Sequence, residues 1–198
     1  MNASEFYNKL LLSINENRIF NGKRLIDIYR YDAEYTPVII KIINEIIDSA
    51  GSEYHHQNEY FRIDAIGWVS HYEDMETDAK KENIRLNPHL WDLKIAVEHE
   101  NSKSDWTDEI IKLIHVKCPL KVVISYSHSD ERGDIERKKL DFVAKWMQEI
   151  NALQKGTDEE YLIILGNGYN HKTGISDYET FDYVGYIYDW DRKNFVRI

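Results

Sequence analysis

Between Ser4 and Asn15, the apolar residues Phe6, Leu10, Leu11 and Ile14 repeat at the spacing of a single helical stripe. Thr36-Pro37 opens a second predicted helix that runs to about Ala50. There Ile39, Ile42, Ile43, Ile46 and Ile47 line one face, and Gly51 supplies the stop. From Tyr60 to Val69 the period falls to two: Phe61, Ile63, Ala65 and Val69 alternate with Arg62, Asp64, Ile66 and Trp68, as in a strand. The polar stretch Ser70 to Pro88 reads as a loop. Trp91 to Glu100 alternates again, with Leu93, Ile95 and Val97 set against Lys94, Ala96, Glu98 and Glu100.

Helical spacing returns from Asp105 to Val116, and Cys118-Pro119 ends it. Leu120 to Tyr126 and Tyr161 to Leu165 are short apolar runs suited to strands buried on both faces, and between them Glu131 to Leu153 forms a long amphipathic helix. Gly166-Asn167-Gly168 lacks the third glycine and the helix of a dinucleotide fingerprint, so it reads as a turn. Tyr183 to Trp190 and Asn194 to Ile198 then pair as a hairpin around Asp191-Arg192. This order predicts an α/β fold, one domain over residues 1–198, with a mixed β-sheet flanked by helices.

Composition narrows the class. With 198 residues, 42% of them hydrophobic, 9 Gly and 3 Pro, the chain is globular and large enough for its own core. Cys118 is the only cysteine, so neither an internal disulfide nor a thiolate zinc site is available, and a reducing, cytoplasmic setting is expected. Glu5, Lys9, Glu16 and Arg18 break up the first twenty residues, leaving no signal-peptide core, and Lys41 and Glu45 interrupt the longest apolar run, so no membrane role is expected. A net charge of −10 repels phosphate backbones, so any nucleic-acid contact must be local.

Candidate chemistry lies in carboxylates. Asp64, Glu98 and Glu100 sit within apolar strands, where a charge is costly without a partner. Glu98 and Glu100 face the same side roughly 7 Å apart, and with Asp64 on a neighbouring strand they have the oxygen donors for Mg²⁺ or Mn²⁺. Acidic pairs on strands are also often solvated or paired with cationic side chains, and that plainer reading stands beside the first.

Arg62-Ile63-Asp64-Ala65 and Glu98-His99-Glu100 together resemble the PD-(D/E)xK, or restriction-endonuclease-like, nucleases, which carry an Asp on one core strand and a Glu-x-Lys on the next. The resemblance implies a restriction-endonuclease-like core over about residues 36–126, with a C-terminal strand and hairpin extension at about 160–198. It implies that Asp64 and Glu98 are metal ligands, that the His99 carbonyl completes the site, and that Glu45, on the helix before the first core strand, is an outer ligand. Glu100 stands where the family has lysine, a place some restriction enzymes also fill with Glu. Asp64, Glu98 and Glu100 are thus the catalytic candidates, and Asp64, Glu98 and Glu45 the metal-binding ones.

Other charged and aromatic features have plainer explanations. Lys112 could reach the site from the next helix and replace the missing lysine, yet the helical wheel places it well off the Trp106, Ile110, Leu113 face, so a solvated lysine is the preferred reading. His55, His56, His71 and His89 fall in predicted loops without zinc-ligand spacing. Arg137-Lys138-Lys139 lies in a stretch whose charges cancel, and Tyr178, Tyr183, Tyr186 and Tyr188 read as hairpin packing. Two functions follow: a Mg²⁺- or Mn²⁺-dependent nuclease that hydrolyses phosphodiester bonds, or a non-catalytic module that keeps the nuclease-like fold and binds a protein partner.

Overall fold

The computed structural model describes residues 1–15, 19–29, 31–70, 73–84, 91–101, 106–128, 133–150, 158–167 and 181–198. His71, His89, Gly168 and Tyr178, singled out above, lie outside them. Helix α1 (Ala3–Asn15) is closed at its start by a reciprocal box: the Glu5 amide donates to Asn2 Oδ1 at 2.8 Å, and the Asn2 amide donates to Glu5 Oε2 at 3.0 Å. Strands β1 (Ile19–Phe20) and β2 (Lys23–Arg24) form a small hairpin on Asn21-Gly22, both at positive φ, and the short α2 (Leu25–Ile28) follows.

Helix α3 (Asp32–Asp48) starts earlier than Thr36-Pro37, leaving Pro37 inside it. Asp32 and Glu34 favour that earlier start, because acidic side chains complement the free N–H groups of a first turn. The strand predicted over Tyr60 to Val69 is β4 (Ile63–Ser70), and an unpredicted antiparallel strand, β3 (Tyr54–Tyr60), precedes it. Phe61 and Arg62 make the turn between them at φ 48° and 64°, and Phe61 points outward at 81% exposure. His55 and His56 therefore sit on a strand, not in a loop. The stretch read as loop from Ser70 contains α4 (Glu73–Lys81).

The remaining elements follow the predicted order: β5 (Trp91–His99), α5 (Trp106–Ile114), β6 (Leu120–Ser127), α6 (Asp134–Glu149), β7 (Glu160–Asn167), β8 (Val184–Asp189) and β9 (Asn194–Arg197). Strands β3 to β9 lie side by side in chain order as one seven-stranded mixed sheet. The central trio β5–β6–β7 is parallel, joined through α5 and α6, and the hairpins at either side are antiparallel. Among the described residues no helix is long and apolar enough to cross a membrane.

Two apolar layers sandwich the sheet. On one face the isoleucine stripe of α3 and the buried side of α1 cover Ala65, Ile95, Val97, Val122 and Leu162. On the other, Trp106, Ile110 and Leu113 of α5 and Leu140, Val143 and Met147 of α6 cover Ile66, Ala96, Val123 and Ile163. Neighbouring residues on β4 and β5 thus serve opposite layers, and this alternation decides which charged side chains can meet.

At Gly67 the register between β4 and β5 shifts, and a Cβ there would stand 2.7 Å from Ile47 Cγ2 and 3.3 Å from Ile95 Cβ. Gly67→Ala should therefore push α3 off the sheet and destabilise the protein by about 1–3 kcal/mol, lowering the midpoint of thermal unfolding by several degrees. A melt unchanged from wild type would show that the helix yields without cost.

Candidate functional site

The register that pairs Ala65 with Val97 sets Asp64 across from Glu98 when continued by one residue. Both side chains fall in the α5 layer, since Ala65 and Val97 serve the α3 layer. Asp64 Oδ2 accepts the His99 backbone N–H at 2.7 Å, so the aspartate caps the ladder between β4 and β5 where the strands part. Glu98 is buried, its side chain 3% exposed.

Lys112 closes the group from α5. Its Nζ lies 2.8 Å from Glu98 Oε1 and 2.5 Å from Glu109 Oε2, and it donates to the Arg62 carbonyl at 3.0 Å. Glu98 Oε1 and Glu109 Oε2 nevertheless lack a well-aligned hydrogen-bond donor, so the ammonium holds them chiefly by charge. The solvated lysine expected from the sequence is thus corrected: its Cα is off the apolar face, but the four-carbon stem carries the charge round to the sheet. Glu109, one turn before it, went unremarked in the sequence, although a Glu and a Lys three residues apart on a helix are natural partners.

Burial dominates the electrostatics. It pushes the Glu98 carboxyl up to about 8, against the downward pull of Lys112 and with an added upward push from Asp64. Burial also raises Asp64, opposed by the His99 N–H and reinforced by Glu59 on β3. For Lys112 burial acts downward, but Glu109 and Glu98 together outweigh it, and the ammonium is held above its ordinary value.

Glu100 lies just past β5, half-buried, its N–H donated to the Ile124 carbonyl at 2.9 Å. Glu45 is exposed on α3, which packs on the opposite face of the sheet, so the structure does not bring it to Asp64 and Glu98. The His99 side chain also turns to that far face, where Nε2 meets the Tyr126 hydroxyl at 2.8 Å and burial depresses the ring to about 3. His56 is committed to Asp48 at 2.7 Å.

Among the described residues no three of His, Cys, Asp and Glu are close enough to hold a metal ion by themselves. Two carboxylates are a sufficient protein contribution for Mg²⁺, which keeps several of its waters. Asp64 and Glu98 suit that chemistry: both are hard oxygen donors on adjacent strands, and Glu98 Oε1, although 2.8 Å from the Lys112 ammonium, is buried without an aligned hydrogen-bond donor.

The raised Glu98 carboxyl has a consequence for stability. The folded state holds that proton more tightly than the unfolded chain, so its contribution is fully present below pH 4.5 and is lost as pH rises through about 8. In the absence of divalent cations, wild type should lose stability relative to Glu98→Gln across that interval, as measured by denaturant unfolding at a series of pH values. Parallel pH profiles for the two proteins would show that Glu98 carries no such linkage. No family model and no curated protein sequence matches this chain.

Proposed function

We propose that this protein is a divalent-metal-dependent phosphodiester hydrolase acting on nucleic acid. The observation that carries the reading is the meeting of Asp64 and Glu98, side by side on adjacent strands, with the Lys112 ammonium 2.8 Å from Glu98. Two carboxylates and one ammonium are the side-chain types that the PD-(D/E)xK resemblance calls for, and from α3 to β6 the chain runs helix, two strands, helix, strand, helix, strand, with β3, β4 and β5 antiparallel neighbours.

Asp64 and Glu98 would hold Mg²⁺ or Mn²⁺, which when bound supplies Lewis-acid polarisation of a phosphate and a more acidic water. Asp64 is oriented for the task by the His99 N–H, and Glu98 is kept dry by α5. Lys112 takes the part of the lysine missing from Glu98-His99-Glu100: a fixed positive charge beside the carboxylates favours the charge that builds on a phosphate under attack. Glu100 then needs no catalytic lysine's role and is left as a residue bordering the site.

A second reading has its own support. The Lys112 contact already neutralises Glu98, and a net charge of −10 suits a protein-binding module better than a tight binder of DNA or RNA.

Incubation with single-stranded DNA, double-stranded DNA and RNA in Mn²⁺ separates the two. The hydrolase should cut at least one substrate; Glu98→Ala, shown to be folded, should abolish cleavage, and Lys112→Ala should slow it by on the order of 10²–10³. Wild type that cuts none of them, or a Glu98→Ala protein that cuts as well as wild type, would leave the binding module as the better account.

A further inference from the structure

The Lys112 ammonium lies against Glu98 Oε1, a buried oxygen without an aligned hydrogen-bond donor. It is shared between two carboxylates: Glu98 on the sheet at 2.8 Å, and Glu109 on its own helix at 2.5 Å. Glu109 is 21% exposed at the side chain and Glu98 3%, so the two ends of this bridge are unequal: one lies at the lip of the site and the other inside it. Glu98 and Lys112 belong to different elements, β5 and α5, whereas Glu109 and Lys112 share one helix and keep their spacing whatever happens at the sheet.

We propose that Lys112 is a tethered cation which a divalent ion must displace from Glu98, and that Glu109 is the positioning residue that receives it. This rests on the metal-dependent reading given above and adds a regulatory step to the same site. Two cations cannot neutralise one buried carboxylate oxygen at contact distance without repelling each other, so entry of the ion and retreat of the ammonium are coupled. Glu109 keeps Lys112 within a helical turn of the site, where its charge remains available to a phosphate, instead of releasing it to solvent. Without Glu109 the ammonium would have Glu98 as its carboxylate partner on the sheet side and would compete harder with the ion.

The test is a double-mutant cycle on Mn²⁺ affinity by calorimetry, using the full-length wild type, Glu109→Gln, Lys112→Met and the double variant. With Lys112 present, Glu109→Gln should weaken Mn²⁺ binding about fivefold or more. In the Lys112→Met background the same change should leave affinity within about twofold. Equal weakening in both backgrounds would make Glu109 a direct ligand and overturn the positioning role while sparing the metal-dependent reading. No effect in either background would overturn it too. A second measurement does not depend on the Glu109 variant: after reductive methylation with ¹³C, the wild-type Lys112 signal, assigned by its loss in Lys112→Met, should move on saturation with Mg²⁺ and stay fixed in Asp64→Asn. A Lys112 signal that stays fixed while Mg²⁺ binds wild type would overturn the displacement. Absence of Mn²⁺ and Mg²⁺ binding in every variant would instead remove the metal-dependent reading itself, and this inference with it.

Discussion

Strand β6 is buried along all eight of its residues, and nearly everything else in the fold answers to that fact. A strand with no wet face needs apolar cover above and below, and neighbours on both sides to satisfy its backbone. Parallel neighbours β5 and β7 require crossovers long enough to return the chain to the starting edge, and the crossovers α5 and α6 become the cover for one face. The N-terminal helices α1 and α3 cover the other. Hairpins can then occupy the flanks, where partial exposure is tolerable.

The same constraint confines polar chemistry to strand ends. Lys121, at the start of β6, is fully buried and survives because Glu159 Oε2 lies 2.5 Å away, the Tyr161 hydroxyl 3.0 Å away, and the Tyr161 ring beneath it. Glu98 sits near the opposite, C-terminal end of β5, the edge of a parallel sheet where loops and helix starts leave room for ligands. A charged group in the middle of β6 would have no comparable access to partners. The site is thus one of the few places where this sheet can accommodate a carboxylate at all.

Much of the architecture could be read from periodicity, because the buried elements are the ones with strong patterns. The isoleucines of α3, the alternation of β5 and the apolar runs of β6 and β7 each serve a core layer, and the terminal hairpin formed where its turn was expected. Strand β3 was invisible for the opposite reason: His55, His56, Gln57, Asn58 and Glu59 are exposed, so neither face imposes a pattern, and its pairing with β4 comes from backbone hydrogen bonds. Phe61 misled because it continued the alternation of β4 through a turn that carries no glycine. At the site, strand alternation assigns Asp64 and Glu98 to one face, and the pairing of Ala65 with Val97, continued by one residue, sets them opposite each other. Lys112 was legible as a stand-in for the missing lysine but was outweighed by its place on the helical wheel, because a wheel locates a Cα and the charge of a lysine lies several bonds beyond it.

The composition of β3 matters beyond this chain's own folding. Among the described residues β3 has a sheet neighbour on one side only, and the N–H and C=O groups of such an edge are a template on which a second molecule could add a strand. Its five exposed polar residues offer nothing apolar to reward such an addition, and the Glu59 charge penalises an identical strand laid alongside in the same register. Exchanging His55, Gln57 or Asn58 for valine or isoleucine would give that edge the hydrophobic β-character of aggregation-prone segments, turning a silent border of the sheet into a seed for association.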